Sequence, residues 1–269
     1  MNISYYNNKI NYCYNNHFDQ ELLRMAISLL KNDVVPDKRF ELVKAEPERK
    51  VYKALINGKS YFLKQYKYRK LKKRVKNIFR KSSACRAFKM TNKLLDKKIT
   101  VVKPALAVTY RHDFFTLDSL FITEDFMGSD LQSFIAQGNY DLKTKSKVIK
   151  QVAKLWADLY NNNFINGDPN LPGVLLKFTT EFKLCLVGVD NIRHFPYLTK
   201  KAITNNLAKF NAHSYSGLAG LGKARLSHQD RKLFYNEFLA CYNKSGILLS
   251  DIKNKTFKIL SDWDKGDLI

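Results

Sequence analysis

The sequence predicts an α+β chain in two parts, a small antiparallel sheet followed by a mainly helical half. Three observations carry this reading. Residues 39–66 hold three β-rich runs in close succession. Asn57-Gly58 separates two of them, and both central positions of a two-residue hairpin turn favour positive φ. Beyond residue 142 the apolar residues instead recur at helical spacing, with Val148, Ile149, Val152, Leu155, Trp156 and Leu159 on one stripe.

The elements follow in order. Residues 1–35 are Asn/Tyr-rich and then amphipathic, and Leu22, Leu23, Met25, Ala26, Leu29 and Leu30 predict one short helix. Strands are expected over Arg39–Ala45, Val51–Ile56 and Ser60–Tyr66, forming a meander. A basic stretch from Lys67 to Lys81 leads into a helix over Ser82–Leu95, with Cys85, Phe88 and Leu95 on one face. Val101–Val108 and Ser119–Thr123 read as strands, and Glu124 to Gly128 as a connector. Helices are expected over Asp130–Ala136 and Lys143–Asn161, then a loop to Gly173 rich in Asn, Gly and Pro. A hairpin of Val174–Phe178 and Phe182–Val189 precedes helices at Thr199–Phe210 and His228–Cys241. This order is that of a bilobal protein-kinase-like fold, with a small antiparallel-sheet N-lobe and a mainly helical C-lobe. The domains are set at 1–38, an N-terminal extension with a short helix, 39–125, the N-lobe, and 126–269, the C-lobe.

Composition narrows the function classes. The 269 residues are 45% hydrophobic, enough for a core without disulfides or metals. Lys+Arg 47 against Asp+Glu 24 gives +23, which predicts an anionic partner. The polar start predicts no secretory signal, and no run is long and apolar enough to span a bilayer. Cys13, Cys85, Cys185 and Cys241 form no C-x-x-C pair, so a zinc site or disulfide framework is not expected, and reduced thiols in a cytoplasm fit. The five histidines are scattered and suggest no metal pair.

Phosphoryl transfer needs a cation on the nucleotide phosphates, a carboxylate to orient the attacking hydroxyl and a second carboxylate to hold metal. The sequence offers one of each in kinase order. Lys64 lies in a strand between apolar residues, the position that meets the α/β-phosphates of ATP. Asp168, in Asn166-Gly-Asp-Pro169, follows the long helix where a catalytic base belongs, although the same tetrapeptide is good turn chemistry. Asp190 ends an apolar run, and its hard oxygen suits Mg2+, although a cap would use the same residue type.

Five segments make the resemblance specific: Gly58–Lys64, Ile122–Asp125, Asn166–Pro169, Val189–Arg193, and Leu207–Phe210 followed by Leu226–Arg231. Together the chain resembles the lipopolysaccharide core heptose kinases, a kinase-like bacterial family, in patches from Arg39 to Asn243. The resemblance implies transfer of the ATP γ-phosphate to a heptose of the inner core, with ATP and Mg2+ required. It also implies a peripheral site on the cytoplasmic side of the inner membrane of a Gram-negative bacterium. By position Lys64 holds phosphates, Asp168 is the base and Asp190 the metal ligand, and Glu124 and Phe126 border adenine mostly through backbone groups.

The chain departs from the pattern at several points. The helix Ser82–Leu95 has no glutamate to pair with Lys64, and Ala87 stands where one is expected. Gly173 occupies the position of the asparagine that ligates a second metal, leaving Asn170 as the substitute. A shifted alignment would put Gly188 at the metal position, but Arg193 three residues after Asp190 favours the first. No glycine-rich loop precedes Lys64; Ala45 to Arg49 stands there. An active sugar kinase, a catalytically impaired pseudokinase that binds or regulates in lipopolysaccharide assembly, and a small-molecule phosphotransferase all stay open. The acceptor is open between a heptose and Kdo. Lys67–Lys81 is either a solvated face or a landing site for an anionic membrane and the lipopolysaccharide precursor. No recognition motif supports nucleic acid as the partner.

Overall fold

The computed structural model describes residues 1–32, 38–68, 80–179, 182–221, 225–244 and 246–268. It divides into two compact units, Met1–Asp96 with Val101–Phe126, and Lys97–Thr100 with Met127–Ile269.

The first unit is a seven-stranded antiparallel sheet with a helix on each face. Its strands are β1 (Asn2–Asn7), β2 (Ile10–Tyr14), β3 (Phe40–Glu46), β4 (Arg49–Ile56), β5 (Lys59–Lys67), β6 (Pro104–Arg111) and β7 (Leu117–Glu124), in the order β1-β2-β6-β7-β5-β4-β3. The β3–β4–β5 meander matches its sequence expectation. Asn57 and Gly58 take φ of 49° and 74° in the turn between β4 and β5, as a type I′ hairpin requires.

Alternation along β4 and β5 decides the faces. Tyr52, Ala54, Ile56, Tyr61 and Leu63 point into a core shared with α1 (Gln20–Asn32), which buries Leu22, Leu23, Leu29 and Leu30 there. Each leucine so buried contributes about 1.5–3 kcal/mol, so this stripe fixes the N-terminal segment to the sheet. The opposite face carries α2 (Ser83–Asp96), whose Phe88 meets Phe121 of β7 edge-on at 6.5 Å. Cys85 of α2 and Cys13 of β2 approach to 3.0 Å between sulfurs.

Reading residues 1–38 as an extension with one helix missed β1 and β2. Cys13 faces Ala107 in the β2–β6 register, so this segment is part of the sheet. The strand expected from Val101 begins at Pro104, and residues 69–79, most of the Lys67–Lys81 stretch, lie outside the described residues.

The second unit is mainly helical. Its helices are α3 (Leu131–Gln137), α4 (Leu142–Asn161), α5 (Lys200–Gly217), α6 (His228–Cys241) and α7 (Leu249–Asp262). Asp130 caps α3, Asp141 caps α4 and Thr199 caps α5, each accepting from a backbone N–H of the first turn. Trp156 of α4 stacks on Phe210 of α5, and Tyr160 meets Phe238 of α6 edge-on. Two small sheets complete the unit. β8 (Ser129–Asp130), β10 (Val174–Phe178) and β11 (Phe182–Leu186) form one, and β9 (Phe164–Asn166) with β12 (Ile192–His194) the other. The second hairpin strand stops at Leu186, short of the expected Val189, and α5 continues to Gly217, beyond the expected Phe210.

Candidate active site

The short β9–β12 ladder ties the segment that leads into Asp168 to the one that follows Asp190. Phe164 is fully buried and anchors β9 just after α4. The register pairs Asn166 with Ile192. The Gly167 N–H then donates to the Asn191 carbonyl at 2.9 Å, carrying the antiparallel match one residue further. The ladder ends there, since the Asn191 N–H turns back to the Gly188 carbonyl at 3.3 Å; Asp168 follows Gly167 in the loop, and Asp190 precedes Asn191 in its turn. A Cβ at Gly167 would stand 3.1 Å from the Asn191 oxygen, so a residue without a side chain lets the two strands close here. Asp168 is exposed and Asp190 half-buried.

Asp190 is not at a strand end, as expected, but in a 3-10 turn, Val189–Asn191, between β11 and β12. Gly188 opens that turn at φ 70°, with nothing within 4 Å of where a Cβ would lie. Its conformation, not its surroundings, selects glycine. The turn ends at Asn191, whose carbonyl accepts the Gly167 N–H of the Asp168 loop.

The loop itself is held from three directions. The Asn166 side-chain oxygen accepts the Asp168 N–H at 3.0 Å, an Asx turn that fixes the backbone entering Asp168. Asn206 of α5 donates to the Asn166 carbonyl at 2.7 Å and accepts from the Tyr160 hydroxyl of α4 at 2.8 Å. Lys209, one turn along α5, donates to the Gly167 carbonyl at 2.9 Å. One turn further, His213 feels the Asp168 carboxylate, which favours its proton, but burial and the Lys209 charge prevail and hold the imidazole below its ordinary pKa. The resemblance includes Leu207–Phe210, and so Lys209, but nothing in the sequence gives Asn206, Lys209 or His213 a part in the loop, because that depends on α5 lying along a segment some 40 residues earlier.

Asn170 serves as a cap. Its side-chain oxygen accepts the Gly173 N–H at 2.8 Å at the start of the 3-10 helix Leu171–Gly173. An amide oxygen carries two lone pairs, and this bond uses one. Among the described residues no group of three His, Cys, Asp or Glu side chains could hold a metal ion. Mg2+ does not need such a cage, since it binds through one or two carboxylates plus substrate phosphates and water. The donor set fits that ion.

The other candidates lie in the first unit. Lys64 of β5 stands in register with Val51 and Phe121, on the face that carries α2. Its ammonium lies 5.6 Å from the Tyr66 ring centroid. Ala87 of α2 is buried, so the position expected to hold a glutamate is filled by packing. Glu124 ends β7 with its side chain exposed, 3.9 Å from Lys103. Its N–H donates to the Lys103 carbonyl, and the Asp125 N–H to the Ser60 carbonyl. Neither amide is left to donate to a base. Phe126, half-buried, closes the segment.

An apolar cleft open to solvent is lined by Ile135, Val152, Phe210, Phe234 and Arg231 among others. Its lining contains none of Asp168, Asn170 and Asp190.

Comparison with known proteins agrees with the family resemblance. A profile described as the lipopolysaccharide kinase (Kdo/WaaP) family matches residues 38–242. A solved structure, WaaP in complex with acyl carrier protein, is similar with a TM-score of 0.61 at 14% identity, covering 90% of this chain and 96% of that one. At that identity the likeness speaks for the fold, a kinase's mixture of antiparallel sheet and helices. No curated protein matches.

Proposed function

The chain belongs to the lipopolysaccharide kinase (Kdo/WaaP) family, and from that premise we propose that it transfers the γ-phosphate of ATP to a sugar hydroxyl of the lipopolysaccharide inner core, that of a heptose. The observation that carries the proposal is the tie between the two segments that hold the Asp168 and Asp190 carboxylates, the β9–β12 ladder with its Gly167 N–H to Asn191 carbonyl bond. Asp168, exposed and fixed by the Asx turn, orients the acceptor hydroxyl and accepts its proton as the oxygen bonds to phosphorus. Asp190 and the second lone pair of the Asn170 oxygen would hold Mg2+, which supplies neutralising charge to the phosphates. Lys64 is assigned to the phosphates of the nucleotide, and Phe126 to the edge of adenine. Balanced, the reaction turns ATP and a sugar hydroxyl into ADP, a sugar phosphate and a proton.

A second reading, a family member that binds without turnover, is favoured by two observations. The α2 helix carries no glutamate, and Asn170 is engaged as a cap. Transfer of labelled γ-phosphate from Mg·ATP to dephosphorylated core lipopolysaccharide separates the two. Native chain is expected to label the acceptor, and Asp168→Ala to lower kcat by about 10²–10⁴-fold. Because Asp168 is exposed, the variant should unfold at the native urea midpoint. Binding of ATP with no transfer to any core acceptor would leave the binding-only reading.

A further inference from the structure

Three residues on one stripe of α5 match three consecutive residues of the Asp168 loop. Asn206 holds the Asn166 carbonyl, Lys209 holds the Gly167 carbonyl, and His213 meets the charge of Asp168. The spacing, three residues and then four, is one helical face. The helix therefore runs as a strap beneath the loop. Within it Lys209 differs from its neighbours in bringing a full positive charge. Its ammonium has three protons, and one is given to the carbonyl immediately before Asp168.

We propose that Lys209 is the positioning residue of the Asp168 loop. It fixes the Gly167 carbonyl, and so the direction in which the Asp168 carboxylate points, and it keeps a cation beside the base. Two physical features give the contact this weight. A hydrogen bond from an ammonium is roughly twice as strong as a neutral one, and this one acts on the peptide unit after Gly167 while the unit before it donates the Gly167 N–H to Asn191. Gly167 has no side chain to resist rotation, so the two bonds set its peptide planes. The cation also suits a reaction in which negative charge spreads over the transferring phosphoryl oxygens. The loop's own Pro169 and Asn170 supply no such charge. This assignment rests on Asp168 being the base of the proposed reaction.

The test compares native chain with Lys209→Met and Lys209→Arg by two readouts. The first is hydrogen exchange of residues 164–170, which needs no activity. Exchange at the Gly167 and Asp168 amides should quicken in Lys209→Met and stay near native in Lys209→Arg. The second is phosphate transfer. Lys209→Met should lower kcat by about 10²-fold, the cost of a small misplacement of a catalytic group, with KM for ATP unchanged, and arginine should restore most of it. Lys209 is only half-buried, so both variants should fold. Unchanged exchange in Lys209→Met overturns the strap, and unchanged kcat overturns positioning. A loss that arginine fails to restore, accompanied by a lower urea midpoint, would show a structural strut only. A native chain that transfers no phosphate refutes the reaction itself, and any role of Lys209 in turnover, while exchange still decides whether the lysine holds the loop.

Discussion

Asn206 makes both of its amide ends count: its nitrogen donates to the Asn166 carbonyl and its oxygen accepts from Tyr160, all of it buried. Replacing it with leucine would leave a buried hydroxyl and a buried carbonyl without partners. Each such group costs about 1–3 kcal/mol, so Asn206→Leu should lower the urea midpoint clearly. Tyr160→Phe, which strands only the Asn206 oxygen, should cost less. Equal losses in the two would show that the Asn166 carbonyl finds another donor. His213 gives a pH-dependent counterpart. Its folded pKa is held below the ordinary value by burial first and by Lys209 second. The unfolded chain therefore takes up the proton more readily than the fold does. The stability contributed by a neutral His213 is complete above its ordinary range, about pH 6.5, and is lost as pH falls through that value towards the folded one. His213→Gln should flatten that part of the stability curve without altering its alkaline side, as read from urea midpoints at stepped pH. A native and a variant curve that run parallel through this range would remove His213 from the acid response.

At the scale of elements, α4 and α6 are clamped by charge as well as packed. Asp230 completes the capping box of α6 with Ser227 and also receives Lys145 from the first turn of α4. Burial opposes ionisation of Asp230, but the hydrogen bonds from Lys145 and Ser227 outweigh it and hold the carboxyl below its ordinary pKa. Both side chains are close to buried, so Asp230→Asn leaves an ammonium without its counter-charge, at a cost of about 3 kcal/mol. That cost should show at neutral pH and shrink in acid, because the native carboxylate's stabilisation is lost as pH falls through its depressed folded pKa. Elements of this length and patterning were legible in the residues. The β3–β5 meander announced itself through alternation and the Asn57-Gly58 turn, and α4 through its stripe. The β1–β2 hairpin did not, since β1 is exposed along nearly its whole length and an edge strand facing water has no alternation to show. β9 and β12 are three residues each, too short for any period. The site divides in the same way. Lys64, Asp168 and Asp190 are candidates by residue type and order, whereas the bonds from Asn206 and Lys209 of α5 to the Asp168 loop arise only from contacts between segments far apart in the chain.

For the whole molecule the dominant quantity is the charge of +23. Among the described residues no helix is long and apolar enough to cross a membrane. The stretch from Lys67 to Lys81 holds nine of the basic residues, and each Lys or Arg close to an anionic surface contributes about 1 kcal/mol. Replacing Lys72, Lys73, Arg74 and Lys76 together by serine should therefore weaken partitioning onto phosphatidylcholine vesicles containing phosphatidylglycerol by about 4 kcal/mol, or about three decades. Co-sedimentation reads this directly. Raising ionic strength should release the native chain, since the Debye length contracts to about 3 Å at 1 M salt, and vesicles of phosphatidylcholine alone should not retain it. The same variant should turn over a water-soluble core oligosaccharide at the native rate, because none of the four residues belongs to the Asp168 loop or its strap. Retention on neutral vesicles, or binding indifferent to salt, would mean that an apolar surface rather than the basic stretch makes the contact. A loss of turnover on the soluble acceptor would mean that the charge is needed at the acceptor itself, and the basic stretch would then be assigned to substrate and not to the membrane.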